Sequence, residues 1–127
     1  MENYRRQAMM LRTRRYAIGI IRMYSSLPRS RVAQVLGNQI LRSGTSVGAH
    51  YREACRAKSN ADFVSKIEGG LQELEETAYW LELLRDSRTA ETAQIELLAD
   101  ETNQLTAIFV AVSKSVKALA PKKKRQI

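Results

Sequence analysis

Ile95, Leu98, Thr102, Leu105, Phe109, Val112, Val116 and Leu119 follow one another at intervals of three and four residues. Kept for more than three heptads, that spacing lays one continuous stripe along an α-helix and cannot fit the two-residue period of a strand. It predicts a helix from about Thr89 to Leu119, about 45 Å long. Pro121 follows its end, where a residue without an N–H cannot continue the helix. A stripe of this length needs a second apolar surface to lie on, so the rest of the chain must supply one.

Phe63, Ile67, Leu71, Leu74, Ala78, Leu81 and Leu84 repeat the pattern upstream. Ser59 is placed to cap that helix, and Asp62 puts a negative charge in its first turn, where the helix dipole favours one. "DSRT", Asp86–Thr89, leaves so short a turn that the two helices must be antiparallel neighbours. A further helix begins near Ser30, after Pro28, with Val32, Val35, Leu36, Gln39, Ile40, Ser43, Val47, Tyr51 and Ala54 marking its face. The first runs from about Tyr4 to Tyr24, with Tyr16, Ile20 and Met23 on one side and Ala17, Ile21 and Tyr24 beside them. "SSLP" breaks it, because the residue before a proline disfavours the helical region. The sequence therefore predicts an all-α chain, an antiparallel up-down-up-down four-helix bundle over residues 1–120. Residues 121–127, "PKKKRQI", are expected to be a basic disordered tail. The 127 residues suffice for one domain with a real core, and their 44% hydrophobic content excludes disorder throughout.

Two glycines in "LRSGTSVGAHYREACRAKS", Leu41–Ser59, pose a choice between a phosphate-cradling loop and a helix face stripped of side chains. A phosphate loop needs a preceding strand and a Lys-Ser/Thr pair, whereas Gly48 is followed by Ala49 and His50. Within a helix, Gly37, Gly44 and Gly48 fall close to one line that Ala33 extends. Each costs about 1 kcal/mol relative to alanine, which a close helix–helix or subunit contact can offset. Gly69 and Gly70 on the next helix are the candidate facing surface.

The inventory argues against catalysis. A di-iron bundle needs two Glu-x-x-His pairs, and this chain has one histidine. His50 with Glu53 is a single i, i+3 pair, and Cys55 lies five residues from His50, poorly aligned for a nucleophile–base pair. No metal, no cofactor and no enzymatic activity are expected. Cys55 alone gives no disulfide framework, and no apolar run reaches membrane-span length, so a cytoplasmic location is expected. Glu53 and Glu73 each lie near an apolar face. They read either as surface charge or as partners of Arg42, Arg52 or a hydroxyl on a neighbouring helix.

Charge is the strongest functional signal. Residues 1–60 hold twelve Lys/Arg against two acids, residues 61–112 three against eleven, and residues 113–127 six against none, within a formal net charge of +8. The first group includes Arg5, Arg6, Arg12, Arg14, Arg15, Arg22, Arg29 and Arg31, all arginines, which suit bidentate phosphate contacts. In an antiparallel bundle, the start of the first helix and the end of the fourth share one end of the molecule. Lys122, Lys123, Lys124 and Arg125 can then join the helix-one arginines on RNA or DNA phosphates. No zinc-finger spacing and no aromatic sheet motif indicates base readout. "PKKKR" also resembles a nuclear import signal. Two other readings stand beside this one. One is a structural scaffold that binds a protein partner, without nucleic acid; the other is a membrane-surface helix at residues 1–24, weaker for its modest, tyrosine-rich apolar face.

"QILRSGTSVGAHYREA", Gln39–Ala54, followed by "DFVSKIEGGLQELEETAYWLELL", Asp62–Leu84, resembles a bacterial four-helix-bundle family. That family includes proteins encoded in intervening sequences of large-subunit ribosomal RNA genes and accessory variability determinants of diversity-generating retroelements. Its pattern maps onto Gln39, Arg42, Ser46, Val47, Ala49 and Glu53, and a later element onto Gly70, Leu71, Glu73 and Leu74. His50 stands where asparagine is usual. The resemblance implies a homopentameric barrel and no demonstrated enzyme. In the retroelement branch it implies binding of nucleic acid and of a reverse transcriptase. Gly37, Gly44, Gly48, Glu53 and Glu73 are the candidate helix or subunit packing residues.

Overall fold

A computed structural model describes residues 2–90 and 92–119. Four helices, α1 (Glu2–Ser25), α2 (Arg31–Cys55), α3 (Asn60–Asp86) and α4 (Ala93–Ala118), make up its regular structure, and no strand occurs among the described residues. The tail from Pro121, with Lys122–Arg125, lies outside them. Three hydroxyls set the starts of α2, α3 and α4: Ala33 N donates to Ser30 Oγ (3.2 Å), Asp62 N to Ser59 Oγ (3.0 Å) and Ile95 N to Thr92 Oγ1 (3.2 Å). Each satisfies an N–H that has no partner within its own helix.

The last helix begins later than its periodicity predicts, at Ala93 rather than about Thr89. After α3, Arg88 takes a left-handed conformation (φ 59°), and the N–H groups of Thr89 and Ala90 both turn back to the Leu84 carbonyl. Ala90 is thereby tucked into the core and the chain reverses there. Thr92, not Thr89, is the hydroxyl in cap geometry.

The helices pack in cyclic order, α1 on α2, α2 on α3, α3 on α4 and α4 back on α1. With short connections this is the antiparallel up-down-up-down arrangement. The α2/α3 contact is the most extensive and the α1/α4 seam the slightest. The core takes Tyr16, Ile20 and Met23 from α1, Ile40 and Val47 from α2, Ile67, Leu74, Leu81 and Leu84 from α3, and Ile95, Leu105 and Phe109 from α4. Val112 and Val116 are half-buried and Leu119 is 70% exposed, because the last turns of α4 flank an open cleft instead of a neighbouring helix. Ile21, expected beside the α1 core side, is exposed as well.

Two expectations for α2 are corrected. Its spacing holds two stripes. Ala33, Gly37, Ile40, Ser43, Gly44, Val47, Gly48, Tyr51 and Ala54 are buried, whereas Val32 and Val35 are more than half exposed and belong to the other. The glycine line meets α1 of the same chain, not Gly69 and Gly70. Gly37 faces Tyr24 and Leu27, Gly44 faces Ile20, and Gly48 faces Thr13. Gly69 lies under the His50 ring and Gly70 under the Phe109 ring. Periodicity shows which side of a helix is small; it does not show which neighbour fills the space.

Each helix places one hydroxyl in a buried polar layer. Tyr16 Oη lies 2.6 Å from Thr102 Oγ1, and Ser43 Oγ lies 2.7 Å from Thr77 Oγ1. Thr102 donates to the Leu98 carbonyl and Thr77 to that of Glu73, so Tyr16 and Ser43 must be the donors in their pairs. Burial pushes the Tyr16 phenol up to about 12 from 10.0, against the hydroxyls of Thr102 and Thr77, which favour the phenolate. Below pH 10 folded and unfolded chains both keep the proton, so the full stability is present there. As pH rises from 10 through 12, only the unfolded chain loses it readily. We expect the wild type to lose about 2–3 kcal/mol over that window relative to Tyr16→Phe. Parallel chemical denaturation of both proteins checks this, and a constant difference between them from pH 9 to 12 would reject it.

Candidate nucleic-acid interface

The buried side of α1 is defined by Thr13, Tyr16, Ile20 and Met23, so a 3.6-residue period turns Arg14, Arg15 and Arg22 outward. All three are exposed and carry no ion pair among the described residues. Tyr4, Leu11 and Ile21 on the same helix are also exposed. Arg5, Arg29 and Arg31 are likewise exposed. Arg6 reaches the Cys55 carbonyl through Nη1 (3.3 Å), closing the α2 C-terminus. The predicted arginines thus form a line and not one patch: Arg5 and Arg6 lie near one end of α1, and Arg29 and Arg31 past its other end, which is about 30 Å from Arg5 along the helix.

Arg12 departs from the set. Its Nε and Nη2 grip both oxygens of Glu101 at 2.8 and 2.9 Å, and Nη2 also donates to Gln104 Oε1 (2.9 Å). This fork ties α1 to α4, and Glu101 takes the charge a phosphate would need.

The end holding Arg5 and Arg6 also holds the α2–α3 connection and the end of α4. Arg52, Arg56 and Lys58 there are exposed and carry no ion pair among the described residues. Sequence reasoning takes Arg52 only as a candidate partner of Glu53 or Glu73 and passes over Arg56 and Lys58; the short connection after Cys55 is the signal that could have placed them. Lys117 pairs with Glu68 at 2.7 Å, and its hydrogen bond holds that carboxyl below the usual carboxylate range. The outward side of α3 is acidic, with Glu68, Glu75, Glu82 and Asp86 all exposed. Charge therefore divides by side of the molecule as well as by segment.

The packing candidates divide too. Glu53 is exposed and does not pack; His50 turns away from it to face Glu73 on α3, Nε2 to Oε2 3.6 Å. Glu73 is largely buried and also lies 3.7 Å from Arg42 Nη1. Arg42 bonds Glu76 as well, at 3.0 Å. Val32, Val35, Gln39, Arg42, Ser46, Ala49 and Glu53 form one stripe along the outward edge of α2, beside Gly69, Glu73, Glu76 and Trp80 on α3. His50 Nδ1, Glu73 Oε1 and Trp80 Nε1 are buried without a hydrogen-bond partner, and all three belong to this α2/α3 face. Most motif residues of the resemblance, Gln39, Arg42, Ser46, Ala49 and Glu53, lie on it rather than in the core. Val47 alone among the α2 set is fully buried.

Among the described residues, no helix is long and apolar enough to cross a membrane, and no three His, Cys, Asp or Glu side chains converge on a metal position. No functionally curated protein matches the chain. Among solved structures, a protein of unknown function from the S23 ribosomal protein family of Bacteroides thetaiotaomicron is similar, with a TM-score of 0.78 at 34% sequence identity. The likeness covers 86% of this chain and 97% of that one. The pattern of the 23S rRNA-intervening sequence proteins matches residues 5–111, from the first arginine of α1 to beyond Phe109 in α4. That match takes in the motif stripe, the glycine line, α2 and α3 whole and most of α1 and α4, and the chain belongs to the 23S rRNA-intervening sequence protein family.

Proposed function

We propose that the protein is a non-catalytic, self-assembling scaffold that binds RNA or DNA through phosphates. The observation that carries this is the row of exposed arginines on α1, Arg14, Arg15 and Arg22, without an acid paired to any of them among the described residues. Cations that serve only solubility are ordinarily interspersed with acids. Here Glu101 beside α1 is taken by Arg12, and Glu68, Glu75, Glu82 and Asp86 lie exposed on α3. Assembly is supported by the α2/α3 face, where three buried polar atoms lack hydrogen-bond partners and the exposed Glu53 offers a carboxylate. Leaving such atoms unsatisfied costs about 1–3 kcal/mol each, which a neighbouring subunit's donors and acceptors would offset. A basic face and an acidic face at different positions suit head-to-tail contacts, which make a ring when the rotation between subunits closes. The reading is a homopentamer, and an accessory role beside a reverse transcriptase belongs to it as the retroelement form of the same function. A scaffold for a protein partner alone is the second reading, favoured by the acidic side of α3.

Light scattering is expected to give about 72 kDa for five copies of the 14.4 kDa chain. Affinity for RNA or DNA should fall by orders of magnitude between low and moderate salt, with a log–log slope of about 0.9 per phosphate contacted on duplex DNA. Arg14→Gln, Arg15→Gln and Arg22→Gln together should flatten that slope and leave the mass unchanged, since exposed charges contribute little to folding. Affinity insensitive to both salt and the triple change would reject the electrostatic reading. No binding at low salt would leave the protein-partner scaffold.

A further inference from the structure

The start of α1, the α2–α3 connection and the last turns of α4 enclose an open cleft of about 560 Å³. Its floor is apolar, with Phe63, Val112, Val116 and Leu119, and its rim carries Arg5, Arg6 and Lys58. No acidic residue lines it among the described residues. Its volume falls in the ordinary range of small-ligand sites. Phosphate alone explains the rim and leaves the floor without a use. Leu119 in particular is a large apolar side chain left 70% exposed next to cations.

A ligand that fits both parts carries a flat, weakly polar ring next to an anion. A nucleotide in a duplex hides its ring faces in the stack, and one in an unpaired strand presents them. We propose that the cleft takes one unpaired nucleotide, its base against Phe63, Val116 and Leu119 and its phosphate against Arg5, Arg6 and Lys58. Arg6 is already oriented by its bond to the Cys55 carbonyl, so its guanidinium is held at the mouth. Ser59, which caps α3, and Asn60, its first residue, open onto the same space and add the positive end of a helix to the phosphate side. The proposal rests on the nucleic-acid reading above and adds a preference for single strands whose bases are present.

Fluorescence anisotropy of the full chain at one low salt concentration tests it, with labelled oligothymidylate and a strand of the same length made of abasic units. Both probes carry the same phosphates. The thymidylate strand is expected to bind about tenfold tighter or more, as one stacked base is worth. Leu119→Gln changes an exposed residue and should bring the ratio close to one while the abasic strand binds as before. Phe63→Ala should do the same, with helix content checked by circular dichroism. Equal, salt-sensitive binding of both strands by the wild type would overturn the cleft assignment and leave the phosphate reading standing. Binding of neither strand would overturn the phosphate reading, and the cleft assignment with it.

Discussion

Truncating Phe109 to alanine is expected to remove about 3–5 kcal/mol of stability, the range for emptying a buried aromatic site. Phe109 is the largest fully buried side chain, and its ring lies against Gly70 on α3 and 5.9 Å from the Tyr51 ring on α2. One residue thus ties α4 to two other helices. A domain of this size is stable by about 5–15 kcal/mol, so the loss is a large share of the total. The geometry also predicts a compensation. A methyl group at Gly70 would come within 2.7 Å of Phe109 Cε2, so Gly70→Ala should destabilise the wild type. In Phe109→Ala the same methyl enters the vacated space, meets only the ordinary contact of His50 Cβ at 3.5 Å and brings alanine's better helix propensity. Urea denaturation of the four proteins forms a double-mutant cycle with a coupling above about 1 kcal/mol. Strict additivity, or a Phe109→Ala cost below about 1 kcal/mol, would mean the ring does not fill this site.

Gly44→Leu should cost about 3 kcal/mol, the upper part of the overpacking range. A Cβ at position 44 would stand 2.8 Å from Ile20 Cγ1 and 2.9 Å from Cδ1, and Ile20 is fully buried with no room to retreat. Leucine's helix propensity returns less than about 1 kcal/mol and does not reverse the sign. The strain falls on the α1/α2 contact, which is far more extensive than the α1/α4 seam. Denaturation midpoints report the effect, and wild-type stability in this variant would place the glycine line on a free surface.

The helices and the core of α3 and α4 were legible because a stripe at spacing three and four is both the signal of a helix and the cause of its burial. Leu105 and Phe109 show it plainly: both are read from spacing and both are fully buried. What escaped was long-range. Two threonines near the start of α4 could each cap a helix, and only the backward turn at Ala90 selects Thr92. α2 carries two periodic stripes, and burial alone separates Val47 from Val35. Arg12 reads like its neighbours until Glu101, 89 residues away, closes on it. Glu73 reads as apart from the other acids, with Arg42 among its candidate partners, but His50 reads as a partner of Glu53, because i, i+3 proximity is visible in sequence and the His50–Glu73 contact across helices is not. Arg56 and Lys58 read as ordinary cations at a helix end, and Arg52 as a partner for Glu53 or Glu73.

The slight seam between α1 and α4 carries over into time. α1 is held by its broad contact with α2, and its narrower link to α4 is the buried hydrogen bond between Tyr16 and Thr102 together with the fork between Arg12 and Glu101. Helices α2, α3 and α4 share the two most extensive contacts that do not involve α1. A fluctuation that swings α1 outward about the Ser26–Ser30 turn therefore sacrifices one broad surface and leaves three helices packed. The arginine-bearing helix is the hinged wall of the barrel-shaped bundle, and the first to loosen as the chain breathes.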